Sequence, residues 1–195
     1  YLILMFVVDE KVYPTIISAA SALVMAVISY FAFSHIKSRV EAWLNPWKYV
    51  SDKAYQVTQS LFAIASGGLI GTGLSLGYPK YIPAVHTDFI FSAICEEVGI
   101  ISGIIIILIL CMVTIIGLNY SKNCKRTANK LICLGLSSMT GIQTLIIVAG
   151  VLNIIPITGV TLPFVSYGGS SLISQSINIG LLFFINTNET GETHE

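Results

Sequence analysis

Charge is what this sequence is short of. Only 10% of its 195 residues are Asp, Glu, Lys or Arg, against 54% hydrophobic, whereas soluble domains carry about 25% charged residues. Ten basic and ten acidic residues give a formal net charge of zero, and mean hydropathy is +0.82. There is no basic excess to attract a nucleic acid, and the chain belongs in a bilayer. Its four cysteines (Cys95, Cys111, Cys124, Cys133) show no C-x-x-C spacing. They support neither a disulfide frame nor a zinc site and read as small hydrophobes. An initiator Met is also missing. The opening YLILMFVV makes about 12 Å of helix against a hydrocarbon core of about 30 Å. It lacks the basic flank and cleavage site of a signal peptide. The expectation is a stub that starts inside a transmembrane helix.

What is present is apolar runs of membrane length. The expected fold is all-α and polytopic, with about four complete transmembrane helices at 12–33, 87–118, 131–155 and 166–185 after the stub. Ser, Gln and Asn interrupt the last of these, so it should face protein or water rather than lipid. Loop 119–130, NYSKNCKRTANK, carries Lys122, Lys125, Arg126 and Lys130 without an acid, which places it in the cytoplasm. Counting outward, 34–86 is a large extracytoplasmic loop, 153–165 lies outside, and 186–195 is a cytoplasmic tail. Five basic residues in 34–86 run against this, but long loops report orientation more weakly than short ones.

The outer loop is unusual. Trp43, Trp47, Tyr49, Tyr55 and Tyr81 suit anchoring at the interface. AYQVTQSLFAIA places apolar residues at 54, 57, 61 and 64, as in a helix lying on the surface. SGGLIGTGLSLGYP follows, with five glycines from Gly67 to Gly77, and matches no nucleotide-binding motif. It reads either as a flexible re-entrant turn or as backbone that approaches a substrate closely. A second broken stretch, NIIPITGVTLPFVSYGGSS at 153–171, holds Pro156, Gly159, Pro163, Gly168 and Gly169 and cannot continue a helix. Irregular backbone at membrane depth must be buried in protein or line a wet cavity. The two stretches together suggest a polar cavity opening to the outer face.

At that face stands PAVHTDFIFSAICEEVG, residues 83–99. His86, Asp88, Glu96 and Glu97 lie where the membrane begins, and ionisable groups at such depth are expensive. On one continuous helix Glu96 would sit about 12 Å deeper than Asp88 and about 80° round, and Glu97 about 180° round. Cys95 would stack beneath Asp88. Three roles are open to Asp88: a general base, a ligand of a divalent cation, or a helix N-cap. Glu96 and Glu97 need a cationic partner, such as Arg39 or a loop lysine, or a proton. His86 suits orienting the turn as well as chemistry. An outward acidic cavity fits a transporter as well as an enzyme.

HTDFIFSAICEEVG and GVTLPFVSYGGSSL, preceded by RVEAWLNPW and YQVTQSLFAIASGGLIGTGLSLG, resemble the signature segments of the SEDS family. These are the FtsW/RodA/SpoVE proteins of bacterial cell-wall synthesis. The resemblance runs from about Arg39 to Leu182 and implies a ten-helix protein whose last four helices and a stub lie here. It implies a multi-pass plasma-membrane glycosyltransferase that polymerises lipid II, an undecaprenyl-pyrophosphate-linked disaccharide-pentapeptide, for division, sporulation or shape. A class B penicillin-binding protein is the implied partner. The family's catalytic aspartate falls on Asp88, which takes a proton from the acceptor hydroxyl as the lipid pyrophosphate leaves, on the extracytoplasmic side. The substrate cavity is expected to hold His86, Thr87, Glu96, Glu97, Arg39, Gln59, Ser166, Tyr167, Gly168, Gly169 and Ser170, with the YGGSS segment shaping it or meeting a partner. Family activity implies Mg²⁺ or Mn²⁺, with Asp88 the position to ligate it. Ala84 stands where many relatives carry Glu. The rival reading is a lipid II flippase or other carrier. Polar groups clustered at the outer end, above an apolar inner half of Val98–Leu118, favour the enzyme.

Overall fold

The computed structural model describes residues 2–9 and 12–191, which form helices and irregular connections without a strand. The helices are α1 (Leu2–Asp9), α2 (Val12–Ala32), α3 (Ser34–Leu44), α4 (Tyr55–Gly67), α5 (Ile90–Val98), α6 (Ile100–Asn123), α7 (Thr127–Val151) and α8 (Gly169–Gly191). Three of them, α2, α6 and α7, are long and apolar enough to cross a membrane. The fourth expected span, α8, has the length at 23 residues but falls outside that set. Its polar residues have structural work: Gln175 and Asn178 are buried and donate to Gln143 Oε1 at 3.0 Å and Thr140 Oγ1 at 3.0 Å on α7. Hydrogen-bonding side chains between helices act as glue where lipid removes the hydrophobic drive.

The basic loop expected over 119–130 is only a tight connection, because α6 continues to Asn123 and α7 starts at Thr127. The far end of α8 returns to it. Glu189, 7% exposed, accepts the Lys125 N–H at 2.9 Å and the Asn129 side-chain amide at 2.7 Å. The N-cap residue of α7, Arg126, makes no side-chain cap hydrogen bond; Glu189 instead ties the connection to the first turn of α7 from another helix and sets its carboxylate at the positive end of α7. The Lys125 amide above all, then Asn129, holds its carboxyl below the usual carboxylate range.

The helix expected to run unbroken from residue 87 to 118 is two helices. Gly99 breaks it, with φ 93° and ψ 165°, a conformation that costs a side-chain-bearing residue dearly. The break frees carbonyls at the end of α5 and amides at the start of α6, and the glycine-rich loop takes them up. Thr72 N–H and Gly73 N–H donate to the Glu96 and Glu97 carbonyls at 2.9 and 3.0 Å, and Ile100 N–H donates to the Gly68 carbonyl at 3.0 Å. A methyl group added at Gly67, Gly71 or Gly99 would land on backbone of the facing segment. The loop is thus no loose turn: Gly67, Gly71 and Gly99 let backbone pack on backbone.

Helix α4 forms as expected but does not simply lie on a surface. It buries Val57, Thr58, Ser60 and Ala63, and Ser60 shares a 2.6 Å hydrogen bond with Ser92 on α5. Phe89, Phe91, Cys95, Leu110, Ile147, Val151 and Leu162 complete the core. All four cysteines are free, with Cys95 and Cys133 buried, as small hydrophobes would be.

Two predictions follow from these contacts. Gly99→Ala should cost about 3 kcal/mol or more, combining left-handed strain with a steric clash. Gly180→Ala, in a helix with open space around it, should be neutral or gain about 0.5–1 kcal/mol; thermal unfolding in detergent compares them. For Glu189, a depressed folded-state value means its stabilisation is complete above the ordinary 4.5. It fades as pH falls through the lower folded value, so unfolding temperature should drop below about pH 4.5 in the wild type and less in Glu189→Gln.

Candidate functional site

The site begins with a turn. Ala84, at φ 56°, offers one carbonyl to the N–H groups of Thr87 and Asp88, both at 3.1 Å, and to Thr87 Oγ1 at 3.1 Å. This knot ends one residue short of α5 and presents Asp88. The N-cap residue of α5 is Phe89, with no side-chain cap hydrogen bond, so Asp88 does not cap the helix. Its carboxylate is half-buried and has no hydrogen bond or ion pair among the described residues.

Two cavities meet at Asp88. One of about 90 Å³ is lined by Arg39, Trp43, Lys53, Gln56 and Asn153. The other, about 10 Å³, is a crevice against Gly150, Ile157 and Gly159, and a methyl built on Gly159 would stand 3.6 Å from Asp88 Oδ2. Helix α3 is tied across the larger cavity. Arg39 Nη1 donates to the Ile157 carbonyl at 3.2 Å; Trp43 Nε1 donates to the Asn153 carbonyl at 3.1 Å, and Asn153 Nδ2 returns a bond to the Trp43 carbonyl at 3.3 Å. Trp43 is therefore a clamp rather than a lipid anchor, whereas Trp47 is exposed. Lys53 pairs with Glu41 at 2.9 Å, and that hydrogen bond lowers the Glu41 carboxyl and raises the Lys53 ammonium.

The second broken stretch docks on the turn. Ser166 Oγ donates to the Thr87 carbonyl at 2.6 Å and accepts the Leu162 N–H at 2.8 Å, while Tyr167 N–H donates to the His86 carbonyl at 2.8 Å. Ser166, expected in the substrate cavity, is instead buried and acts as a bridge that holds the Asp88 turn. The contribution of His86 and Thr87 here is backbone. Tyr167, Gly169 and Ser170 are exposed and Gly168 is half-buried.

The expected acidic cluster is divided. Glu96 is buried and lines a different cavity of about 130 Å³ with Gln59, Ser66, Tyr78 and Tyr81. Glu97 is half-buried, its side chain beside Gly77. Of the expected cavity residues, Arg39 alone shares the larger cavity with Asp88. Lys53, Gln56, Trp43 and Asn153 were not anticipated there. The available signal was weak: Asn153 opens the breaker-rich stretch, and KYVSDKAYQ supplies Lys53 and Gln56.

A family model described as "Cell cycle protein", covering FtsW, RodA and SpoVE, matches residues 1–191. The chain is 37% identical over 182 residues to the peptidoglycan glycosyltransferase RodA of Mycobacterium bovis, covering 93% of this chain and 39% of that protein. It is 44% identical over 147 residues to the probable peptidoglycan glycosyltransferase FtsW of Bacillus subtilis, covering 74% and 36%. It is 38% identical over 146 residues to stage V sporulation protein E of the same organism, covering 74% and 40%. The chain spans less than half the length of these relatives. A solved structure from work on polymerization and crosslinking by a peptidoglycan synthase complex superposes with a TM-score of 0.74 at 24% identity, over 95% of this chain and 52% of that one. That likeness is one of fold.

Ser166→Ala should loosen the turn without touching Asp88. It strands the Leu162 amide and the Thr87 carbonyl, a loss of about 1–3 kcal/mol, and amide hydrogen exchange at Leu162 and Tyr167 should rise accordingly.

Proposed function

The chain belongs to the FtsW/RodA/SpoVE family, and on that premise we propose that the protein is a peptidoglycan glycosyltransferase that polymerises lipid II, with Asp88 as its general base. Apolar helices and family membership make it a multi-pass membrane protein. The observation that carries the proposal is the state of Asp88: half-buried, unpaired among the described residues, and at the junction of two cavities beside a guanidinium. A carboxylate with no other duty is available to accept a proton.

In this mechanism Asp88 takes the proton of the acceptor sugar's hydroxyl. The freed oxygen attacks the anomeric carbon of the growing strand, the bond from that carbon to the lipid diphosphate breaks, and the diphosphate departs with its electron pair. Charge accumulates on the leaving group, and Arg39 and Lys53 are the cations lining the cavity that can stabilise it. The clamp through Ser166 and Trp43 keeps the base in place, as preorganised catalysis requires. Among the described residues no group of three His, Cys, Asp or Glu side chains could cage a metal. The donor set instead suits Mg²⁺ or Mn²⁺ carried in on the diphosphate, with Asp88 the nearby carboxylate; such an ion would neutralise phosphate charge.

The orientation we propose puts Asp88 on the extracytoplasmic side. Its support is that Asp88 and the turn holding Lys125 and Arg126 lie at opposite ends of α6, and short basic connections stay in the cytoplasm. A class B penicillin-binding protein is the proposed partner, a reading supported by the synthase complex that shares this fold. The carrier reading shares the same outward cavity and would need a polar path across the membrane; in the polar seam between α7 and α8, Gln175 bonds to Gln143 and Asn178 to Thr140. These bonds tie α7 to α8, which opposes the parting of helices that a headgroup path needs, although Gln175 Oε1 and Asn178 Oδ1 keep no partner there.

The test uses the intact protein with its penicillin-binding partner and labelled lipid II. Asp88→Asn should lose polymerisation by about 10²–10⁴-fold while keeping its partner and fold. Equal polymer from both would remove Asp88 from the chemistry. No polymer from the wild type, with lipid II crossing vesicle membranes, would make the protein a carrier.

A further inference from the structure

Glu96 is a buried acid with half its carboxylate unaccounted for. It is 7% exposed. Oε1 accepts the Tyr78 N–H at 3.0 Å, while Oε2 is buried with no hydrogen-bond partner. Leaving a buried acceptor bare is expensive, and more so for a charged one. The residue forms the floor of the 130 Å³ cavity, with Gln59, Phe62, Tyr78 and Tyr81 as walls. None of these residues lines the cavities at Asp88, so the glycosyl-transfer mechanism leaves this socket unused.

Its chemistry selects its ligand. One carboxylate oxygen and few other oxygens make a poor cage for a divalent cation, which seeks six to eight. An organic ammonium fits better. It can place its charge on Oε2, hydrogen-bond to Gln59, and rest against ring faces; the Tyr78 and Tyr81 rings lie 5.9 Å apart at 34°. The mouth identifies the carrier of that ammonium. Phe62, Tyr78 and Tyr81 are exposed around it, and the adjoining loop exposes Leu69, Ile70, Leu74 and Leu76. Aromatic and aliphatic side chains around a polar socket are the composition of a membrane interface.

We propose that this socket binds the primary ammonium headgroup of a membrane phospholipid, with Glu96 as its counter-ion. The site ties the glycine loop and the α5–α6 break to the surrounding lipid, because the same residue that would hold the headgroup also holds Tyr78 and, through its carbonyl, Thr72.

Native mass spectrometry of the intact protein provides the test. Phosphatidylethanolamine, N-acetyl-phosphatidylethanolamine and phosphatidylglycerol are offered in equal amounts in detergent. The wild type should retain phosphatidylethanolamine about fivefold over the other two, the effect of roughly 1 kcal/mol of ammonium recognition. In Glu96→Gln the preference should vanish, although Gln still offers Tyr78 an acceptor. Tyr81→Ala, which leaves the carboxylate in place, should weaken the preference several-fold and carries the test if Glu96→Gln does not fold. Equal retention of the amine and its N-acetyl form by the wild type, or an unchanged preference in Glu96→Gln, would overturn the proposal. So would binding of soluble ethylammonium without any preference for the amino-lipid, since the ammonium would then come from another source.

Discussion

Backbone hydrogen bonding in a membrane is the constraint on which this structure turns. Water is not there to complete a broken helix, so each interrupted N–H and C=O must find a protein partner. The interruption at Gly99 exposes two carbonyls and at least one amide, and the loop from Gly68 to Gly73 returns a partner to each. That exchange needs two backbones in contact, and contact needs residues without Cβ on both sides. The glycines of this loop therefore form one device with Gly99. By ending α5 at nine residues, the break lets α5 lean on α4 while α6 goes on to pair with α7.

The second broken stretch solves the same problem with side chains. Gln143 reaches from α7 to the Thr161 carbonyl at 2.8 Å, Ser166 bridges Leu162 and Thr87, and Trp43 and Asn153 exchange two bonds. Four segments remote in sequence are locked through polar groups that would be liabilities if unmatched. Asp88 emerges from the centre of this lattice. Its neighbours are spent on one another, which is how a carboxylate can be both rigidly carried and chemically idle. Natural proteins relax local consistency mainly at functional sites, and here the relaxed position is the acid itself.

Much of this was legible in the sequence, and the losses have physical causes. Helix type and order follow from long apolar runs, which dominate any local reading. The motif around Asp88 falls where two cavities meet, and the cysteines are free thiols, with Cys95 and Cys133 buried. The break at Gly99 is hidden because the apolar run GIIIILILCMVTIIG at 103–117 follows it closely, and a lone glycine ahead of such a run is compatible with a continuing helix; only the facing loop makes it a hinge. Glu96 is grouped with Asp88 because both stand in one motif, HTDFIFSAICEEVG, although helical spacing alone sets them about 12 Å apart. Ser166 looked like a substrate ligand because a serine in a glycine-rich motif carries no mark that its hydroxyl is already committed. Each of these depends on what lies across from the residue, which periodicity does not encode.

Three carboxylates in this chain mark out how environment divides structural from chemical duty. Glu189 receives donors on both oxygens and closes the start of α7; nothing is left over for a ligand. Glu96 receives one donor, keeps one buried oxygen without a partner and lines a small aromatic cavity, a half-committed acid that can hold a cation without being consumed by chemistry. Asp88 receives none among the described residues, and it alone faces cavities that reach both a guanidinium and an ammonium. A proton acceptor must be free in the ground state and steadied by its surroundings rather than by its own oxygens. Of the three, only Asp88 meets both conditions. Assigning catalysis to it therefore rests on what its neighbours have already done with their hydrogen bonds, as much as on the motif in which it stands.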